Sequence, residues 1–204
     1  MQLSAIGYQL SACALLLAVP LAAQQPSKLQ RTHAVELTFS GGYFHPSGSA
    51  GQSGSVVLTR KGAWEGETHF GAYAKSGFWG AEVSAGYTPE RVRLSSTAGA
   101  QGSRRTHLTF GTAKLLFGRS PRKAGISIMA GAGLGVLHRQ MSVLDSGVGS
   151  TDPAGVASLM IRVPFDDQVG LRLDAEDLIS KLDFGTGKKL RHDFMLTAGL
   201  GISW

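Results

Sequence analysis

The chain has 204 residues, with 20 Lys and Arg against 14 Asp and Glu, a formal net charge of +6, and mean hydropathy near zero. Its single cysteine excludes a disulfide framework. No run of about 18 apolar residues follows residue 23, which excludes a transmembrane helix there.

The first 23 residues contain no Asp, Glu, Lys or Arg, and an apolar run from Ala12 to Ala23 includes Leu15, Leu16, Leu17, Val19 and Leu21. A bilayer-spanning helix needs about 20 apolar residues, so this run is too short. It ends in Leu21-Ala22-Ala23 before Gln24, and small residues there suit signal-peptide cleavage. Residues 1–23 are therefore expected to be a cleaved signal peptide, 24–32 a lead-in and 33–204 one domain. Leu10-Ser11-Ala12-Cys13 has the look of a lipobox, but most of the apolar run follows Cys13 rather than preceding it. Cleavage after Ala23 leaves an exported chain without a thiol, as suits an oxidising route.

Eight segments then alternate at period two, the mark of strands with one apolar and one polar face. In residues 33–45, Val35, Leu37, Phe39 and Tyr43 oppose Glu36, Thr38, Ser40 and Gly42. In 67–75, Phe70 and Ala72 oppose Gly71 and Tyr73. In 78–88, Trp79, Ala81, Val83, Ala85 and Tyr87 oppose Gly80, Glu82, Ser84 and Gly86. The fourth segment, 106–117, mixes Leu108, Phe110 and Leu116 with Lys114 on its even face, and a bulge that resets the register is expected. In 125–138, Ile126, Ile128, Ala130, Leu134 and Val136 oppose Ser127, Met129 and three glycines. In 155–163, Leu159, Ile161 and Val163 oppose Met160 and Arg162. In 169–177, Leu171, Leu173 and Ala175 oppose Arg172, Asp174 and Glu176. The last strand is 191–204. Residues 55–59, a β-prone run inside the first long connection, read as a hairpin extension above a membrane.

Short connections follow the second, fourth and sixth segments, and long ones follow the odd-numbered segments. That asymmetry, with an even strand number that closes the sheet, is how membrane barrels are built. The reading is all-β: an eight-stranded antiparallel up-and-down transmembrane β-barrel with short periplasmic turns and long extracellular loops. Phe78, Trp79, Phe117, Phe165 and Trp204 are expected near the periplasmic interface, and Tyr43, Phe44, Tyr87 and Phe194 near the outer one.

The final residues place Thr197, Gly199, Ile202 and the terminal aromatic Trp204 at the spacing of polar, glycine, hydrophobic and aromatic positions. This ending resembles the C-terminal signal of bacterial outer-membrane β-barrels, which the assembly machinery reads. The chain from residue 33 onward resembles the small eight-stranded Gram-negative outer-membrane barrels of the OmpA-transmembrane-domain and OmpX type, a porin-like family. The resemblance rests on the ending, the strand count and the loop asymmetry. It implies structural or adhesive work in the cell outer membrane.

Charges fall on the non-oily phase: Glu36, Glu82, Lys114, Arg162, Arg172, Asp174, Glu176 and Asp193. An eight-stranded barrel has an interior that side chains just fill, and buried charges must be paired. A plugged lumen with a charge network is expected. Arg91, Arg93, Arg104, Arg105, Lys188, Lys189 and Arg191 lie on the outer loops or their rims, where arginine forks suit lipopolysaccharide phosphates.

The residues offer no catalytic constellation. Lipid A deacylases resemble this architecture, but their His-x-Ser-Asn stretch is missing: His192-Asp193-Phe194 lacks the serine, and His107-Leu108-Thr109 is not followed by Asn. The six histidines show no metal-ligand spacing, and neither Gly111-Thr112-Ala113-Lys114 nor Gly185-Thr186-Gly187-Lys188 fits a phosphate loop. No enzyme activity, cofactor, metal or nucleic-acid partner is expected. The expected partners are outer-membrane lipid, lipopolysaccharide and, during biogenesis, the barrel-assembly machinery, with the barrel a monomer. Three alternatives stay open: a narrow channel for small solutes of OmpW type, a lipid A-modifying enzyme, and a soluble periplasmic lipid-binding barrel of lipocalin type.

Overall fold

The computed structural model describes residues 34–47, 49–53, 56–96, 101–121, 125–141, 148–182 and 189–204. The expected signal peptide and lead-in lie outside the described residues. The strands are β1 (Val35–Pro46), β2 (Ser49–Ser53), β3 (Val56–Lys61), β4 (Ala63–Tyr73), β5 (Trp79–Ser96), β6 (Gln101–Arg119), β7 (Ser127–Met141), β8 (Val148–Pro164), β9 (Val169–Leu182) and β10 (Lys189–Ser203).

All neighbouring strands pair antiparallel, and the ladder closes: β4 pairs with β1, β1 with β10, and so on round to β6, which pairs back with β5. Eight strands make the barrel wall. β3 is the upward continuation of β4 along β5, and β2 folds back on β3. This is the hairpin extension expected around residues 55–59. The step from β4 to β3 contains a bulge. Gly66 faces Tyr87 on β5 but Lys61 faces Arg91, so five steps on one strand match four on the other. The extra residue switches the lumen-facing phase from odd (Glu65) to even (Arg60), and both side chains are buried.

The expected bulge in the fourth segment is not there. β6 keeps one register against β5 from Phe117 to Gln101 and against β7 from Arg119 to Thr106. Leu108, Phe110 and Leu116 point inward together with Lys114, and all four are buried. Phe44 also points inward, fully buried, and is not part of the outer aromatic girdle. The reason is the same in each case: the lumen has apolar layers as well as charged ones.

The expected long loops are mostly strand. β5 runs 18 residues and β6 19. At a rise of about 3.3 Å and a tilt of about 40° these stand roughly 45 Å tall, against an apolar band of about 25 Å. The ladder therefore projects well beyond any bilayer at one end.

At the other end, Ala34 N–H donates to the Trp204 carbonyl at 3.1 Å and Trp204 N–H to the Val35 carbonyl at 3.0 Å. The short turns lie at this end. In the turn between β4 and β5, Gly77 takes φ 68°, a left-handed conformation that disfavours any side chain. Gly77 N–H bonds the Ala74 carbonyl at 2.9 Å.

The outer wall is apolar on every side. Phe39, Phe70, Val83, Leu115, Leu134, Val136, Leu159, Leu196, Leu200 and Ile202 are all exposed. Trp79, Phe117 and Trp204 rim this band at the turn end, with Phe78 and Phe165 in the turns. Tyr43, Trp64, Tyr87 and Phe194 rim it at the loop end. Tyr43 and Trp64 meet edge to face, ring centres 6.2 Å apart. Above them the outward positions turn polar: His107 stacks on Tyr87 and bonds its hydroxyl at 2.6 Å, His138 meets Thr151 at 3.0 Å and His192 meets Asp177 at 2.8 Å.

Candidate functional site

The lumen is stacked in four layers, each set by which lumen-phase residue each strand contributes at that height. At the turn end, Arg162 on β8 contacts Glu36 on β1 and donates to Ser203 Oγ at 3.0 Å. Ser203 Oγ in turn donates to Glu36 Oε2 at 3.0 Å. Arg162 lies across Gly170, where a Cβ would sit 2.8 Å from the guanidinium carbon, so this position has to lack a side chain. Tyr73, Leu116, Met129 and Met160 form an apolar cluster beside this pair.

The next layer centres on Arg172 of β9. Its guanidinium is bidentate twice: to Asp174 at 2.7 Å through Nε and Nη2, and to Glu82 at 2.6 Å and 2.9 Å through Nη1 and Nη2. Two carboxylates share one fork, the geometry that suits arginine and not lysine. Lys114 reaches Glu82 at 3.0 Å and contacts Glu176. Glu36 lies 4.0 Å from Arg172, which links this layer to the one at the turn end. His69 on β4 places Nδ1 3.2 Å from Glu82, and Nε2 3.0 Å from Ser40 Oγ and 3.4 Å from Glu67. Glu65 and Glu67 make no hydrogen bond from either carboxylate oxygen, and Glu176 makes none from Oε2.

Above this sits a closed apolar layer: Phe44, Leu108, Phe110, Leu137, Leu178 and Met195, with Ala154 and Val156. The Phe110 ring lies against Gly86, where a Cβ would come within 2.2 Å of it. The top layer is a second ionic cluster. Arg60, carried inward by the bulge, contacts Glu90 and donates to Asp193 at 2.8 Å, and it covers the Phe44 ring 5.4 Å from its centre. Arg139 donates to Asp193 at 2.9 Å and to Asp152 at 3.1 Å. Arg60 stays charged: burial opposes its positive charge, and the Asp193 and Glu90 carboxylates outweigh that and raise its pKa.

Seven of the eight expected lumen charges, Glu36, Glu82, Lys114, Arg162, Arg172, Asp174 and Glu176, fall in one connected network. Asp193 belongs to the separate upper cluster. Sequence reasoning missed Arg60, Glu65, Glu67, His69, Glu90 and Arg139. Glu65, Glu67 and His69 follow one another at every second position, which was the available signal. In the terminal segment Thr197 and Gly199 face the lumen, and Ile202 and Trp204 face outward.

Of the expected rim cations, Arg91, Arg93 and Arg105 are exposed on the outward face of β5 and β6, with Arg91 directly opposite Arg105. Lys61 joins them, and with Arg91, Arg93 and Ser103 it lines a hollow of about 350 Å³. No carboxylate shares the outward phase of β5 and β6 there: Glu90 points inward. Arg191 is on the lumen phase and half-buried, not on the outer wall. Arg104 and Lys189 lie on strands at the loop end, and Lys188 lies outside the described residues.

No family model matches the sequence, and no curated protein matches it. Solved structures do. OprG from Pseudomonas aeruginosa aligns with a TM-score of 0.60 at 12% identity, over 87% of this chain and 99% of that one. Neisserial surface protein A aligns at 0.55 and 13% identity, over 83% and 97%. Ail of Yersinia pestis, in complex with the heparin analogue sucrose octasulfate, aligns at 0.51 and 16% identity, over 84% and 99%. The chain has the closed eight-stranded antiparallel barrel fold of the small bacterial outer-membrane proteins.

Proposed function

We propose that the protein resides in the Gram-negative outer membrane as a plugged, non-conducting barrel, and that it works through the rim and wall it presents at the cell surface. The observation that carries this reading is the layered lumen. Two ionic clusters and two apolar clusters, all from the barrel's own side chains, occupy its height. An open pore needs a continuous polar path, and the Phe44–Phe110–Leu137–Met195 layer interrupts one. In planar bilayers the folded protein is expected to give no stable conductance above the bare membrane. Reproducible single-channel steps would contradict the reading.

The basic face formed by Lys61, Arg91, Arg93 and Arg105 lies just above the Tyr87–Trp64 girdle, and rings of this kind settle at headgroup depth. It supports lipopolysaccharide as the partner of that face. Ail in complex with a polysulfated ligand is consistent with such a barrel taking polyanions. A second reading, a narrow path for small apolar solutes, draws on the apolar upper layer. It requires that layer to part, and the same bilayer recording tests it.

A further inference from the structure

Six carboxylates, Glu36, Glu65, Glu67, Glu82, Asp174 and Glu176, are buried in the lower and middle lumen with three permanent cations, Arg162, Arg172 and Lys114. The carboxylates outnumber these cations by three, and by two if His69 is counted with them. The excess falls on three of the six carboxylates. Glu36, Glu82 and Asp174 face the two arginines. Glu65 and Glu67 face no guanidinium, and Glu176 shares Lys114 with Glu82. Glu67 is 4% exposed and Glu176 1%, and three of their four carboxylate oxygens have no hydrogen-bond partner. A carboxylate buried in this way takes up either a proton or a counter-charge.

One nitrogen of His69 and one oxygen each of Glu67 and Glu176 lie within 4.8 Å of one another. His69 Nδ1 is held by Glu82 at 3.2 Å, which turns Nε2 toward Ser40 Oγ at 3.0 Å and Glu67 at 3.4 Å. A carboxylate that fixes the far nitrogen of an imidazole is the support metal-ligating histidines use. Lys114 contacts Glu176 through Oε1 and leaves Oε2 unpartnered. We propose that Glu67, His69 and Glu176 hold a divalent transition-metal cation inside the barrel. One imidazole and two carboxylates suit zinc, whereas calcium and magnesium prefer oxygen ligands alone. Glu65 is the next residue up the same strand face. Spacing gives no metal motif because the third ligand comes from β9, on the far side of the lumen.

The apolar layer closes the lumen above the site, so the metal is captured as the barrel forms. The test is to refold the full chain from urea into detergent micelles with zinc, manganese or calcium, strip loose metal on a chelating resin and measure what remains by mass spectrometry. About one zinc per folded chain is expected, with at least tenfold less calcium. Glu67→Gln and Glu176→Gln are each expected to retain about tenfold less zinc while still folding, read from heat-modifiable gel migration. The metal-free Glu67→Gln protein should melt no lower than the metal-free parent, because it loses an uncompensated charge. A folded parent that keeps less than about a tenth of an equivalent of zinc, or prefers calcium, overturns the proposal. So does Glu67→Gln and Glu176→Gln retention equal to the parent's.

Discussion

At the residue scale, Arg172 is the side chain on which the lumen network depends most. Among the described residues it is the one cation that contacts Glu82, Asp174 and Glu36 together. Replacing it with leucine strands Asp174 without its arginine and leaves Glu82 with Lys114 as its cation, and removing one partner of a buried pair costs about 3–5 kcal/mol. Arg172→Leu is therefore expected to lower the unfolding free energy by about that amount in urea titrations in micelles. Adding Glu82→Gln and Asp174→Asn should restore at least half, since fewer charges are then stranded. A loss under about 1 kcal/mol would mean that water, not Arg172, solvates these carboxylates. The charged members of the network were legible in the sequence because period two alone assigns them to the non-oily phase. Phe44, Leu108 and Phe110 were not, because an apolar residue on the lumen phase carries no mark that separates it from one facing lipid. Arg60 was hidden by the bulge that brings it inward.

At the scale of elements, strand existence and facing were legible, and strand length was not. The apolar alternation stops where the wall leaves the bilayer, near Tyr87 on β5 and Thr109 on β6. The ladder continues to Ser96 and down to Gln101 on polar residues that read as loop. This projecting β5–β6 ladder holds Arg91 opposite Arg105 on a rigid wall, so both guanidinium groups are presented together. The double variant Arg91→Gln/Arg105→Gln is expected to weaken binding of labelled lipopolysaccharide about tenfold, or ~1.4 kcal/mol. The parent's affinity should fall with added salt more steeply than the variant's. Unchanged affinity would remove this face from lipopolysaccharide recognition. Folding should be untouched, since both side chains are exposed.

For the whole molecule, polarity is inverted relative to a soluble protein: large apolar side chains cover the outside, and glutamates, arginines and a lysine fill the inside. A lipocalin-type barrel needs the reverse. The sequence could not settle this, because alternation says that two faces differ and not which one is enclosed. Ring closure settles it, by turning Glu82, Lys114 and Arg172 toward one another. This outer wall is expected to meet acyl chains. All three tryptophans sit on it, Trp64 at 75% exposure and Trp79 and Trp204 at 53% each, so the chain carries its own probes. The most direct measurement is tryptophan fluorescence in bilayers of lipid brominated on the acyl chain, compared with unbrominated lipid and with aqueous iodide. Strong quenching by the brominated lipid and little by iodide is expected. Emission untouched by bromine and quenched by iodide would contradict the membrane-facing wall.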